Sequence, residues 1–263
     1  MNRLETLITL NNYLLEDMPR YKNSAKNFAK DEQMQWKLFR SLVNIRKAKP
    51  IGKDFLNLQD EFLQEIALEK GITDIKNLEP ISKDEDKLYL WQGDITTLKV
   101  DAIVNAANCR MTGCYAPMHM CIDNAIHTFA GVQLRLECAK IIDEQGHLEE
   151  TGRAKLTNAY NLPSKYVIHT VGPIIHGKLT DEDREKLASC YHSCLDIAYK
   201  YNLKSIAFCC ISTGEFHFPQ EEAGKIAIKV VKESLKEYSD KDLAVVFNVF
   251  KNMDLKIYQE LLK

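Results

Sequence analysis

The strongest indication of the fold class is the segment Asn105-Ala-Ala-Asn-Cys-Arg-Met-Thr-Gly-Cys-Tyr-Ala-Pro-Met-His-Met-Cys-Ile-Asp-Asn-Ala-Ile-His127. The apolar run at 102–104 predicts a buried strand before it, and residues 122–129 predict the start of a helix at its end. Open α/β sheets bind their ligands where strands end and helices begin. We therefore expect an α/β fold with a functional site in this polar, thiol-rich stretch.

The stretch contains a candidate metal site with the spacing C-x4-H-x-C, formed by Cys114, His119 and Cys121. Thiolates and an imidazole suit zinc. Pro117 disfavours helix at the residue before it, so a loop can bring the three side chains together. Three ligands leave a fourth coordination position open, which is typical of a catalytic zinc. The alternative, on spacing alone, is three unrelated side chains in a loop.

The composition is that of a soluble globular protein, with 45% hydrophobic and 27% charged residues in a chain of 263. The net charge of -2 gives no general attraction to nucleic acid or to anionic membranes. No apolar run approaches the roughly 18 residues of a membrane span, and the N-terminus lacks a signal-peptide core. The eight cysteines are spread through apparent helices and strands, which favours reduced thiols. We expect a cytoplasmic protein with no nucleic-acid or membrane partner.

Residues 1–80 have the apolar periodicity of helices, with helices predicted near 4–15, 31–46 and 54–70. They contain no ligand cluster and no glycine-rich loop, so we interpret them as a cap or a partner surface. A polar connector at 77–87, which includes Lys83 and Asp84, follows. We therefore predict a helical extension at 1–80, packed on a second domain at 87–263.

Strand and helix patterns alternate in the second domain. Strands are predicted at 88–92, 102–105, 154–159, 166–171, 205–210 and 242–248, and helices at 132–143, 181–201, 220–238 and 253–262. This alternation predicts a three-layer α/β/α fold with a mixed, largely parallel sheet.

Two further motifs follow predicted strands. Asp94, in the sequence Gly-Asp-Ile-Thr, is either the cap of an ordinary turn or a carboxylate that binds an amino group of a ligand. Ser212, Thr213 and Gly214 are small enough for backbone N–H groups to approach a phosphate, and Gly214 could adopt a positive φ without steric cost. The alternative is a plain strand-to-helix connection. The chain has neither a P-loop nor a G-x-G-x-x-G fingerprint.

Three other polar residues are candidates for the site. His169 and His127 are interpreted as packed histidines. Asp123 lies two residues beyond a proposed metal ligand and four before His127, which places both on one helical face. Asp123 is either the N-cap of its helix or a base or orienting group beside the metal.

The order of these motifs resembles that of the macrodomain family. Along the chain it runs through Gly93-Asp-Ile-Thr, Val104-Asn-Ala-Ala-Asn108, Asp123 and His127, His169-Thr-Val-Gly-Pro173, Ile211-Ser-Thr-Gly214 and Phe218-Pro219. The resemblance covers about residues 87–263 and implies an ADP-ribose cleft. It implies that Asp94 binds the adenine amino group, with Ile95 beside it, and that Asn108 contacts the distal ribose. The diphosphate would be held by the backbone of Ser212, Thr213, Gly214, Glu215 and Phe216.

One departure from the family pattern is informative. Hydrolytic macrodomains commonly carry a glycine-rich run just before the position of Asp123, where this chain has Gly113-Cys-Tyr-Ala-Pro-Met-His-Met-Cys121. This resembles the zinc-containing bacterial and fungal macrodomains, which have a helical N-terminal extension and remove ADP-ribose from protein side chains. The resemblance implies one Zn²⁺ per chain, with Asp123 and Asn108 at the catalytic centre. Some of these relatives are encoded beside a sirtuin-type ADP-ribosyl transferase and lipoate-handling proteins, so a lipoyl-carrier protein is one candidate partner.

The sequence thus favours a zinc-dependent hydrolase that removes mono-ADP-ribose from protein side chains, with acidic residues as the expected targets. Whether zinc activates water or binds the substrate stays open. A first alternative is an ADP-ribose reader with a closed, structural metal site, for which Cys109 is the nearest fourth ligand. A second is a scaffold with a vestigial cleft, against which the intact Asp94, Asn108 and 212–214 positions speak.

Overall fold

The computed structural model describes residues 1–82 and 85–263. Lys83 and Asp84, in the middle of the predicted polar connector, lie outside the described residues. Within the described ranges, no helix combines the length and the apolar character that a membrane span requires.

Four helices make up residues 3–70, which we call the N-terminal unit. They are α1 (Arg3–Asp17), α2 (Lys22–Ala25), α3 (Glu32–Ile45) and α4 (Lys53–Lys70). Asn2 and Glu5 form a capping box at the start of α1, and Asp31 accepts a hydrogen bond from the Met34 N–H at the start of α3. The apolar faces of α1, α3 and α4 form a hydrophobic cluster that also includes Val132 and is distinct from the core around the sheet.

The remaining elements form a layered α/β structure. The strands are β1 (Thr73–Asp74), β2 (Leu88–Gln92), β3 (Leu98–Lys99), β4 (Ala102–Ala107), β5 (Ala154–Asn158), β6 (Tyr166–Val171), β7 (Ser205–Phe208) and β8 (Ala244–Val249). The helices are α5 (Ile122–Ala130), α6 (Val132–Gln145), α7 (Asp181–Lys200), α8 (Gln220–Glu237) and α9 (Asn252–Leu261). The predicted three-layer α/β/α fold is confirmed.

The main sheet has the strand order β2-β8-β7-β4-β6-β5. All neighbours are parallel except β5, which pairs antiparallel with β6, so the sheet is mixed as predicted. The short strands β1 and β3 pair separately. The inner strands are buried on both faces, as in parallel sheets covered by helices.

This topology gathers the carboxyl ends of the five parallel strands at one edge of the sheet. Strand β4 lies between β6 and β7 in the sheet. A crevice forms outside the carboxyl ends of such strands, where the connections lead to opposite sides. The loops after β2, β4, β7 and β8 therefore meet there, although they are far apart in the sequence.

The N-terminal unit contacts the sheet domain through buried polar groups. Gln59 of α4 is fully buried, accepts from the Val132 N–H at 3.1 Å and donates to Gln133 at 2.8 Å. Arg135 of α6 donates through Nη1 to the carbonyls of residues 43, 44 and 46, at 2.9, 2.7 and 2.5 Å. These carbonyls lie at the C-terminal end of α3, where backbone carbonyls lack partners within the helix. A cation at this end also interacts favourably with the helix dipole. The domain boundaries at 80 and 87 stay a prediction.

Candidate active site

Asp94 follows β2 at the crevice. Its Oδ1 accepts from the Thr96 N–H at 3.0 Å and from the Thr96 hydroxyl at 2.7 Å, so it caps the short turn that follows. Its Oδ2 pairs with Lys70, the last residue of α4. Burial raises the pKa of Asp94, but the hydrogen bonds and the Lys70 charge outweigh it and keep the pKa below its usual value. Ile95 is buried in the core, so only its backbone can face a ligand.

Phe250 is a candidate that the sequence analysis missed. It directly follows β8, whose Val249 carbonyl accepts from the Gly93 N–H at 3.0 Å, and its side chain is 67% exposed. The backbone of β8 thus meets the residue before Asp94, and an exposed aromatic ring at the end of β8 offers a stacking surface for a flat ligand group. The available signal was a phenylalanine two residues after the last predicted strand, at 242–248.

The loop at 212–216 follows β7. Ser212 has a φ of +64°, and its buried hydroxyl has no hydrogen-bond partner among the described residues. The expectation that Gly214 supplies the positive φ is wrong, because Ser212 and His217 adopt it instead. A Cβ at Gly172 would lie 2.0 Å from the Ser212 Oγ, so the close approach of these two segments requires glycine.

The 212–216 loop presents unused donors. The N–H groups of Thr213, His217 and Phe218 are bonded within the loop region. In the described part of the chain, no hydrogen bond engages the N–H groups of residues 214, 215 and 216. Successive free N–H groups in a turn form an anion-binding concavity, which fits a diphosphate.

Asn105, Asn108 and Asp123 form a hydrogen-bonded group between β4 and α5. Asp123 Oδ1 accepts from Asn105 Nδ2 at 2.8 Å, and Oδ2 accepts from Asn108 Nδ2 at 3.2 Å. Burial raises the pKa of Asp123 to about 6, although the two amides and the Arg135 charge act in the opposite direction. Such a value suits a group that exchanges protons near neutral pH.

Two buried histidines lie beneath this group, as the sequence suggested. His169 contacts Asn105 Nδ2 through Nδ1 at 3.1 Å and the Thr157 hydroxyl through Nε2 at 2.9 Å. His127 approaches Asp123 at 3.5 Å. Burial lowers the pKa of His169 to about 3 and that of His127 well below its usual value, so both are neutral. His127 therefore packs against Asp123, and His169 packs against its partner Asn105.

Residues 114–121 contain the three candidate metal ligands, and we call this segment the metal loop. Ligand atoms of Cys114, His119 and Cys121 all lie within 4.8 Å of one another. His119 Nδ1 is buried without a hydrogen-bond partner among the described residues, so its lone pair is available to bind a cation. Cys109, the candidate fourth ligand, is exposed and outside this group. Among the described residues, no His, Cys, Asp or Glu therefore completes a four-ligand set with these three.

Cys121 is also the N-cap of α5, because its sulfur accepts from the Asn124 N–H at 3.4 Å. The N-cap interpretation of Asp123 is therefore wrong: its carboxylate faces the two asparagines instead. Burial raises the pKa of Cys121 to about 12, and Cys114 and Asp123 act in the same direction. A soft cation would displace this proton, since metal binding deprotonates a coordinating thiol.

Glu215 connects the metal loop with the 212–216 loop. Its carboxylate lies 3.8 Å from His119 Nε2, on the opposite side of the ring from the unpartnered Nδ1. A carboxylate behind a metal-binding histidine fixes the orientation of the ring. The crevice thus has Asp94 and Phe250 at one end, the 212–216 loop in the middle, and Asp123 with the metal loop at the other end.

Comparisons with known proteins identify the family to which this fold belongs. A sequence model of the Macro domain matches residues 104–227. The chain is 52% identical over 263 residues to a protein-ADP-ribose hydrolase of Treponema medium, covering 100% of both chains. It is 49% identical over 251 residues to a protein-ADP-ribose hydrolase of Staphylococcus aureus, covering 94% of this chain and 93% of that one.

A solved structure supports the same assignment. The crystal structure of a Trypanosoma brucei macrodomain in complex with ADP-ribose superposes with a TM-score of 0.66 at 30% identity. The match covers 85% of this chain and 95% of that one. The similarity to these relatives extends over nearly the whole chain, and the chain has the sequence pattern and the three-layer fold of the family. It therefore belongs to the macrodomain family.

Proposed function

We propose that the protein is a zinc-dependent hydrolase that removes mono-ADP-ribose from protein side chains, with acidic residues as its targets. The observation that carries the proposal is the position of the metal loop. Cys114, His119 and Cys121 converge beside Asn108 and Asp123, at the end of the crevice opposite Asp94. A ligand that spans the crevice from Asp94 would bring its far end to this group.

The donor set fits zinc. Two thiols and one imidazole are ligands that Zn²⁺ prefers, and three ligands leave a position for water or substrate. When bound, zinc supplies Lewis acidity or lowers the pKa of water to about 7. His119 would use Nδ1, because that atom is buried and unpartnered while Nε2 faces Glu215.

The chain's own residues bind and orient the substrate. Asp94 accepts the adenine amino group, the Phe250 ring covers the base, and the free N–H groups at 214–216 bind the diphosphate. Asn108 contacts the distal ribose. Asp123 orients the attacking water or the ribose, because the amides of Asn105 and Asn108 fix both of its oxygens.

The proposed reaction is a hydrolysis at C1″ of the distal ribose. The bond from C1″ to the side-chain oxygen breaks, and a water oxygen bonds to C1″. The water gives up one proton, and the products are free ADP-ribose and the carboxylate of the target protein. We also propose that the reaction takes place in the cytoplasm and that a lipoyl-carrier protein is one substrate, as the resemblance to zinc-containing macrodomains suggests.

The proposal is tested with single-site variants of the metal loop. His119→Ala and Cys114→Ser should lose the release of ADP-ribose from an acid-linked modified protein and should bind less than one zinc per chain. Cys109→Ser is the matched control, because Cys109 is a neighbouring cysteine outside the ligand group. If all three variants release ADP-ribose at the wild-type rate, the protein does not use this site for chemistry, and the reader alternative replaces the proposal.

A further inference from the structure

The metal loop is held from outside the sheet domain. Arg40 of α3 donates from Nη2 to the His119 carbonyl at 3.0 Å, and its Nη2 and Nε donate to Asn124 Oδ1 at 3.0 and 3.3 Å. Asn124 in turn donates to the Ala116 carbonyl at 3.0 Å. The half-buried guanidinium of Arg40 therefore binds the metal loop at two points. It bonds the His119 carbonyl directly and the Ala116 carbonyl through the side-chain amide of Asn124.

A second contact from α3 fixes an unusual backbone conformation. Met118 precedes His119 and has a φ of +59°, a left-handed conformation that is unfavourable for a residue other than glycine. Its N–H donates to Asn44 Oδ1 at 3.0 Å, and Asn44 is buried and also donates to Thr128 at 3.0 Å. Such a conformation persists only where the surroundings fix it, and here α3 supplies part of that surrounding.

The guanidinium of Arg40 is also suited to its place. Its Nη2 reaches both the His119 carbonyl and Asn124 Oδ1. Guanidinium groups suit such positions because they donate several hydrogen bonds in a fixed plane.

We infer that Arg40 is a positioning residue of the metal centre, so that the N-terminal unit shapes the zinc site instead of only covering the sheet domain. This inference rests on the proposed zinc site. Outer-shell partners of metal ligands typically contribute about 10–100-fold to metal affinity. We expect an effect of that size from Arg40, through the His119 backbone and the loop, without an effect on the adenine end of the crevice.

The test measures zinc affinity by competition with a chromophoric chelator in the full-length protein and its variants. Arg40→Gln should weaken zinc binding by about 10–100-fold. Arg40→Lys should fall between wild type and Arg40→Gln, because lysine keeps the charge but cannot span both acceptors. The matched control is Arg3→Gln, because Arg3 is an arginine of the same unit whose ion-pair partners are Glu32, Glu65 and Glu69.

Two further readouts separate positioning from general stability. The ADP-ribose affinity of the metal-free protein, measured by calorimetry, should be the same in wild type and Arg40→Gln. The visible spectrum of the cobalt-substituted protein should change in Arg40→Gln and not in Arg3→Gln. If Arg40→Gln does not fold, the folded Arg40→Lys carries the comparison.

The outcomes distinguish this inference from the proposed function. If the wild type binds zinc and Arg40→Gln binds it equally tightly with an unchanged cobalt spectrum, the inference is wrong and the zinc proposal stands. If Arg3→Gln weakens zinc binding as much as Arg40→Gln, the effect is one of overall stability and the inference is also wrong. If the wild type binds no zinc, both fail.

Discussion

At the scale of single residues, the proposed chemistry depends most on Asp123. Both of its oxygens accept from amides, so its position is fixed before any substrate binds. A carboxylate that is held in this way can orient a reacting group without first giving up rotational freedom.

Asp123→Asn should therefore abolish most of the release activity. The new amide would place N–H groups against the donors of Asn105 or Asn108 and would remove the negative charge. We expect release of ADP-ribose to fall by about 10²–10⁴-fold, the usual range for a positioned acid–base group, while ADP-ribose affinity changes much less. The control is Asp101→Asn, which alters a carboxylate at the opposite end of β4. An active Asp123→Asn enzyme would rule out this role.

Asp94 belongs to the other end of the crevice, and its removal should affect binding. Asp94→Ala would leave the adenine amino group without its acceptor, which costs about 1–3 kcal/mol of ADP-ribose affinity. The chain offers a close control in Asp74, which also caps a short turn and pairs with a lysine, Lys99. Calorimetry on the two alanine variants should show the loss only for Asp94→Ala. Equal affinities in folded proteins would refute the adenine role.

Some of these residues could be predicted from the sequence and others could not. The ligand spacing and the Gly-Asp-Ile-Thr motif are local patterns, so Cys114, His119 and Cys121 were recognised as one group. Lys70 and Arg40 reach the site from helices of the N-terminal unit. The sequence around them does not mark them as site residues, because an arginine or lysine on a helix is usually a solvated surface residue. Their partners become visible only when the N-terminal unit is docked.

At the scale of secondary structure elements, the predicted helices and strands lie within a few residues of those in the structure. Apolar periodicity and breaks at proline or glycine are local properties, which explains this agreement. The strand predicted at 205–210 ends at Phe208. Cys209 is buried and Cys210 is partly buried, so the apolar pattern continues although both residues already lead into the 212–216 loop. The two-residue strands β1 and β3 are too short to show a pattern.

The packing of the N-terminal unit makes a prediction at this scale. Limited proteolysis of the wild type should leave residues 1–80 attached to the sheet domain. Arg135→Met should expose this segment to faster cleavage, because three backbone carbonyls lose their buried donor. Each unsatisfied carbonyl would lower the stability of the packed state by up to about 1–3 kcal/mol. Lys140→Met, on the exposed side of the same helix, should be cut like the wild type. Rapid loss of the whole segment from the wild type, with a stable and fully active remainder, would contradict the packing described here.

At the scale of the whole molecule, the fold does not depend on a metal for its core. The hydrophobic core around the sheet draws on every strand of the main sheet and on α5 to α9, and the N-terminal unit adds a second cluster. Small domains that need zinc to fold lack such a core. The metal loop lies at one end of the crevice, while Asp94 and residues 212–216, the proposed adenine and diphosphate contacts, belong to other loops.

The most direct test of this account is a paired measurement on the same protein with and without a zinc chelator. ADP-ribose affinity is determined by calorimetry, and the rate of ADP-ribose release is determined on a modified protein, with metal content and folding checked in each sample. We predict that the zinc-free protein stays folded, binds ADP-ribose with nearly unchanged affinity and loses most of its release activity. A zinc-free protein that releases ADP-ribose at the original rate would contradict the catalytic role, and one that unfolds would show that the metal is structural.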